Sequence, residues 1–224
     1  FLLMKLTLFG ATGQVGQHLL KQAIERGHSV RLLARAGSIP DIWRGFSKIE
    51  IIEGSVLQAE DVERAVQGSD AVLSSLGLKR ANPKNPWSKL VSPPDFTSHT
   101  GALIAAAMES NGVKKLICVS AAGVAETYPK LNLLMKFFLA TTMIGTAYRD
   151  MAVMEENLKK TSLDWIACRP TRLTDDALTG KVSVLEDGAF PMSAAISRAD
   201  VAWWMLEALR NPLTQRTPTI TQAR

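Results

Sequence analysis

Gly10, Gly13 and Gly16, spaced three residues apart, are the first group in this 224-residue chain whose arrangement suits chemistry. They follow the apolar run Lys5–Phe9 and open a stretch from Gly13 to Arg26 with helical periodicity, closed by Gly27. A strand that turns through glycine into a helix gathers unpaired N–H groups and the positive end of the helix dipole at one point. Such a point binds phosphate. Gly10 permits the sharp exit from the strand, and Gly13 lets the backbone approach a pyrophosphate without a Cβ in the way. Gly16 lets the helix pack closely on the sheet. Thr12, Gln14 and Val15 complete the expected cradle.

The next chemistry lies at the end of the second apolar run, Ser29–Ala34. A dinucleotide site that selects NAD places Asp or Glu there for the ribose hydroxyls. This chain has Arg35. A guanidinium pairs with a 2′-phosphate, often through two hydrogen bonds, where a carboxylate would repel it. The expected cofactor is therefore NADP(H). Ser55 and Val56 are expected beside the adenine. Leu76, Gly77 and Leu78 are expected beside the ribose and pyrophosphate, and Pro170 at the cofactor's far end. Ser120 closes a later apolar run, where its hydroxyl could bond the nicotinamide carboxamide or the acceptor, or else cap nearby backbone. Arg169 and Arg172 flank Pro170. One of them could hold a carboxylate or phosphate on the acceptor, or both could be solvated. Ser120 and Arg172 are the candidate catalytic residues.

These residues need a scaffold, and the pattern supplies one. Strands are expected at Lys5–Phe9, Ser29–Ala34, Ile49–Ile52, Ala71–Ser74, Lys115–Val119 and Asp164–Cys168, with short ones at Val182–Leu185 and, at an edge, Pro218–Thr221. Helices are expected over 13–26, 59–67, 98–110, most of 131–160, and 198–209. Strands alternating with helices imply βαβ units and a parallel sheet covered on both faces. The expectation is α/β: a Rossmann-type doubly wound parallel sheet, a single domain over residues 1–224. The substrate cleft is expected from loops after strands four to six and the C-terminal part. The stretch Asn82–Pro94, with four prolines and preceded by Lys79 and Arg80, reads as a substrate-side loop.

Composition narrows the classes. The net charge of +5 comes from 26 basic and 21 acidic residues, dispersed and without an aromatic ladder. It argues against nucleic acid and suits an anionic cofactor and an anionic small-molecule acceptor. His18, His28 and His99 are scattered, so no metal site is expected. Cys118 and Cys168 each sit in an apolar run and read as packing residues of a reducing, cytoplasmic compartment. No signal peptide or membrane span is expected, and Met4 reads as the natural start, with Phe1–Leu3 coming from upstream. Leu131–Met143 is apolar on nearly every face. It could pack on the domain, wall the acceptor cleft, make a dimer contact or touch a membrane surface, and of these membrane contact is not the expectation. Glu155-Glu156 with Lys159-Lys160 reads as surface pairing on a helix, and Trp203-Trp204 as a turn facing the core. A monomer or weak homodimer is expected.

Gly10-Ala-Thr-Gly-Gln-Val-Gly16, Gly54-Ser-Val-Leu-Gln58, Leu76-Gly77, Val119-Ser-Ala121, Arg169-Pro-Thr-Arg-Leu-Thr-Asp175 and Leu178-Thr-Gly180 together resemble the atypical short-chain dehydrogenase/reductases. Within these the chain is similar to the flavin reductase and biliverdin-IXβ reductase group. The resemblance runs from about residue 4 to 221. It implies NADP(H) across the strand ends, with Ser120 at the family serine beside the nicotinamide. It also shows departures. Arg172 stands where the biliverdin reductase branch carries a histidine. The superfamily's Tyr-x-x-x-Lys pair is missing, since Tyr148 is followed four residues on by Ala152 and Tyr128 by Asn132. In that superfamily the tyrosine is a general acid. Its loss disfavours ordinary alcohol dehydrogenation and leaves hydride transfer to a flavin, quinone or tetrapyrrole-like acceptor. The alternative is an NADP(H)-binding redox sensor or scaffold without turnover. An epimerase of sugar nucleotides fits poorly, for want of the tyrosine and of a larger substrate domain.

Overall fold

The computed structural model describes residues 3–185, 188–210 and 215–223. In chain order the elements are β1 (Lys5–Phe9), α1 (Gln14–Glu25), β2 (Ser29–Ala34), α2 (Asp41–Arg44), β3 (Ile49–Glu53), α3 (Ala59–Val66), β4 (Ala71–Ser74) and α4 (Phe96–Ser110). Then come β5 (Lys115–Val119), a 3-10 helix (Ala125–Lys130), α5 (Leu133–Thr141), α6 (Met143–Leu158), β6 (Asp164–Pro170), β7 (Arg172–Thr174), β8 (Val182–Leu185), β9 (Ala195–Ser197), α7 (Arg198–Ala208) and β10 (Thr219–Gln222).

Eight strands form one sheet in the order β3-β2-β1-β4-β5-β6-β10-β8. All pairings in it are parallel except β10 with β8. The order runs outward in both directions from the β1–β4 boundary, so the crevice there, beyond the carboxyl ends of the strands, is where such a sheet takes a ligand. The central strands are apolar on both faces because both are covered. One core packs Leu6, Leu8 and Ile117 under α1 and α7. The other packs Phe9, Val72 and Trp165 under α3, α4 and α6. Gly27, Gly68 and Gly112, which close α1, α3 and α4, all have positive φ.

The structure corrects several expectations. The last strand is not at the edge: β10 lies between β6 and β8, because β8 returns antiparallel and covers it. The small pair β7–β9 and the single turn α2 lack any sequence periodicity of their own. Most of residues 131–160 is helical, as expected, but in two pieces, α5 and α6. The chain breaks at Thr142, where Gly145 packs so closely on the Leu139 carbonyl oxygen that a Cβ would lie 1.9 Å from it. Trp203 and Trp204 are both half-buried; Trp204 packs on the core edge and Trp203 lies near Gly180. Cys118 and Cys168 are buried and free. They belong to opposite cores, and burial pushes both thiols up, that of Cys168 to about 12.

Candidate cofactor site

The glycine turn is built by close backbone contacts. Gly10 leaves β1 with φ +85°, a conformation that costs an L side chain, and a Cβ there would meet Ser75 at 3.0 Å. The Gly13 amide donates to the Gly10 carbonyl at 2.9 Å and closes the turn. Gly16 presses the first turn of α1 onto it: a Cβ would lie 2.0 Å from the Gly10 oxygen and 2.7 Å from Ala11 Cα. The third glycine is thus required by the turn's own backbone, a closer partner than the sheet. Ser75, which the sequence reading passed over, ties the exits of β1 and β4 together. Its amide donates to the Phe9 carbonyl at 3.0 Å and its hydroxyl to the Gly10 carbonyl at 3.3 Å.

Gly13 is the N-cap of α1 and supplies no side-chain cap, and the first turn of the helix carries no acidic residue. The amides of Gln14, Val15 and Gly16 therefore face outward without an intrahelical partner, at the positive end of a three-turn dipole. That donor set suits a phosphate. Val15 is 9% exposed and its side chain packs in the core, so only its amide is available to a ligand. Thr12 is half-buried and Gln14 exposed at the turn.

Arg35 leaves the end of β2 in a turn where its carbonyl accepts from the Ser38 amide and hydroxyl. Its side chain is exposed and has no hydrogen bond or ion pair among the described residues. After β3, the Ser55 amide donates to Asp61 Oδ2 at 2.7 Å, so that amide is held by α3; Val56 is half-buried against the core. Leu76, Gly77 and Leu78 follow β4, all half-exposed. Gly77 has ordinary φ, and nothing of the protein lies within 4 Å of where its Cβ would be.

At the end of β5 the structure shows a buried polar chain. Ser120 is 2% exposed, and its hydroxyl donates to Glu155 Oε1 at 2.6 Å. Glu155 is fully buried, and its two oxygens also accept from Arg169 Nε, at 3.0 Å, and Nη2. Arg169 is 1% exposed and reaches on to both oxygens of Glu126. Its hydrogen bonds hold the Glu126 carboxyl down at about 2, and Glu155 and Glu126 together outweigh burial to raise the Arg169 guanidinium above its usual value. This corrects two expectations. Glu155 is not a surface residue; only Glu156, paired with Lys159, is. Arg169 is not free for an acceptor, because two carboxylates already engage it. The signal for Glu155 was its place between Met154 and Leu158, on the face of α6 that the helical period turns inward. Arg172 is exposed in β7. Pro170 is buried, its carbonyl accepting from Ala122 N at 3.0 Å. Tyr148 is half-buried, and burial raises its phenol. Beside β6 and β10, a concavity of about 510 Å³ is bordered by Glu126, Arg169, Leu185, Trp204 and Thr219. Among the described residues no cluster of three or more His, Cys, Asp or Glu side chains could hold a metal, and no helix is long and apolar enough to cross a membrane.

A family model described as NAD(P)H-binding matches residues 10–212. The chain belongs to this NAD(P)H-binding family. An uncharacterised chloroplastic protein of Arabidopsis thaliana is 25% identical over 208 residues, 92% of this chain and 71% of that protein. Among solved structures, ChuY of Escherichia coli O157:H7, described as an anaerobilin reductase, superposes with a TM-score of 0.79 at 23% identity, covering 97% of each chain. A short-chain dehydrogenase/reductase of Veillonella parvula in complex with NADP gives 0.79 at 19% identity, covering 98% of this chain and 94% of that one. These likenesses are likenesses of fold. They agree with the Rossmann-like sheet, and the family's class of cofactor is NAD(P)H.

Proposed function

We propose that the protein is an NADPH-dependent reductase that passes hydride to a small conjugated acceptor, a flavin, quinone or tetrapyrrole-like molecule, and that residues 1–224 act as one cofactor-binding unit. The observation that carries this reading is the uncapped, acid-free N-terminus of α1 over the Gly10–Gly16 turn, with the exposed Arg35 guanidinium at the end of the adjacent strand β2. The amides of Gln14 to Gly16 would hold the pyrophosphate and Arg35 the 2′-phosphate. Thr12, Ser55, Val56 and Leu76 to Leu78 would border the adenosine and ribose. Bound NADPH would supply the hydride. The reductase name of ChuY and the NADP in the Veillonella parvula complex support the same class.

The chain's own residues would act by placement. Both Glu155 oxygens already accept from Arg169, so the hydrogen between Ser120 and Glu155 is the one on the serine. Ser120 Oγ is left with lone pairs and no hydrogen to give. It would accept from the nicotinamide carboxamide, orienting the ring without protonating the acceptor. With no Tyr-x-x-x-Lys pair, the proton that completes reduction would come from water, which a flavin or quinone tolerates. Arg172, exposed at the start of β7 just beyond β6, would meet a carboxylate or phosphate on the acceptor.

The test is steady-state NADPH oxidation with riboflavin, FMN, a soluble quinone and a linear tetrapyrrole. Turnover with at least one, with kcat unchanged and KM raised in Arg172→Ala for an anionic acceptor, supports the reading. Tight NADPH binding with no turnover on any of them would favour a redox sensor or scaffold, which the same missing pair also suits.

A further inference from the structure

The helix expected to be apolar all round is not buried all round. Leu131, just before α5, and Leu139 within it anchor the segment in the protein, whereas Leu133, Leu134 and Phe137 project at 84%, 69% and 67% exposure. The three share one helical face, at i, i+1 and i+4. The loop after β4 joins them. Trp87, 62% exposed, meets the Phe138 ring edge-on at 6.4 Å, and the Pro86 carbonyl accepts from Met143 N at 3.0 Å. Val91, 61% exposed, lies in the same loop. Five large apolar side chains thus protrude from two joined segments.

Within the two segments themselves the charges are of one sign. Residues 71–94 carry Lys79, Arg80, Lys84 and Lys89, and residues 127–149 carry Lys130, Lys136 and Arg149, with no Asp or Glu in either stretch. Of the four flanking acids, Asp70 accepts from the Lys5 amide, Asp95 is exposed beside Pro94, Glu126 is half of an ion pair with Arg169, and Asp150 is buried, accepting from the amides of Thr97 and Ser98. Lys136 donates to the Pro129 carbonyl and sits 5.9 Å from the Tyr128 ring centre, which keeps its charge beside the apolar face.

We infer that this face docks the protein on an anionic lipid surface. Leucine and aromatic tips ringed by lysine are the composition of an interfacial anchor. Tips that stand 61–84% exposed suit a soft interface; a protein partner would need a matching pocket for each. A second copy of the chain would set like charges against like. A surface contact needs no spanning helix. Both segments follow strands at their carboxyl ends, so docking would turn that end of the sheet toward the lipid. The inference needs nothing from the redox reading.

The experiment is co-sedimentation of the intact protein with phosphatidylcholine vesicles, with and without phosphatidylglycerol. Binding is expected with the anionic vesicles and should weaken as salt rises. Leu133→Ser/Leu134→Ser/Phe137→Ser should lower partitioning by about tenfold or more, and Lys84→Gln/Lys89→Gln by about fivefold for each lysine. Both variants should keep wild-type Tm and NADPH affinity. Absence of sedimentation with anionic vesicles, or unchanged partitioning of the triple variant, would overturn the inference. So would a concentration-dependent dimer that the triple variant abolishes while vesicles are ignored, an outcome that assigns the face to self-association.

Discussion

Replacing Glu155 by Gln tests whether the buried chain from Ser120 to Glu126 holds the cofactor end of the sheet. Glu155 receives three donors on two oxygens: the Ser120 hydroxyl, and Nε and Nη2 of Arg169. Gln keeps one accepting oxygen and turns the other into a donor facing donors. Breaking a buried ion pair on one side costs about 3–5 kcal/mol. Arg169 keeps Glu126, whose side chain is 60% exposed and compensates weakly, so the lower end, about 3 kcal/mol, is expected. Against a domain stability of about 5–15 kcal/mol the variant still folds. Urea unfolding read by tryptophan fluorescence measures the loss. Arg169→Met alone should cost a similar amount, and Glu155→Leu/Arg169→Met markedly less than the sum of Glu155→Leu and Arg169→Met, because an apolar pair leaves no buried charge behind. Ser120 would regain a free hydroxyl rotor in Glu155→Leu, and NADPH should bind it more weakly. A Glu155→Gln variant within about 0.5 kcal/mol of wild type, or strictly additive losses in the Glu155→Leu/Arg169→Met cycle, would refute this reasoning.

Other perturbations test separate parts. Gly16→Ala must move α1 from the turn, since its Cβ would sit 2.0 Å from the Gly10 carbonyl oxygen; calorimetry should show about 2–3 kcal/mol of destabilisation and at least a tenfold loss of NADPH affinity. Asp150 on α6 caps α4 through the amides of Thr97 and Ser98 at 2.7 and 3.0 Å. Asp150→Ala should cost about 2–3 kcal/mol and Asp150→Asn less, by urea unfolding, because Asn keeps one acceptor. Glu126 is held down from 4.5 to about 2 by Arg169, so its contribution is fully present above pH 4.5 and is lost as pH falls through about 2. Glu126→Gln should flatten the dependence of Tm on pH in that window, by less than about 1 kcal/mol given the exposure of the side chain.

Much of the scaffold was legible because its signals are local. Lys5–Phe9, the glycine turn, and the stops at Gly27, Gly68 and Gly112 each announce themselves within a few residues. What escaped depends on partners distant in sequence. β10 reads as an edge strand until β8 is known to return antiparallel beside it. Glu155 reads as half of a surface pair until Arg169, 14 residues on, is brought beneath α6. Arg169 reads as a free cation until Glu126, 43 residues before it, closes on its outer side. Ser75 carries no motif, and its use is visible only once β4 lies beside β1. The apolar run 131–143 gave its hydrophobicity but not its exposure, because the break at Thr142 decides which side chains the body of the protein covers.

On the proposed reading, Arg35 makes the site select NADPH over NADH. The most direct test is the ratio of Kd values for NADH and NADPH, by isothermal titration calorimetry, in the wild type and in Arg35→Ala. The wild type is expected to prefer NADPH by about tenfold or more, and Arg35→Ala to lose most of that preference while its affinity for NADH holds. Equal affinity for the two cofactors in the wild type, or a preference that survives Arg35→Ala, would contradict that reading.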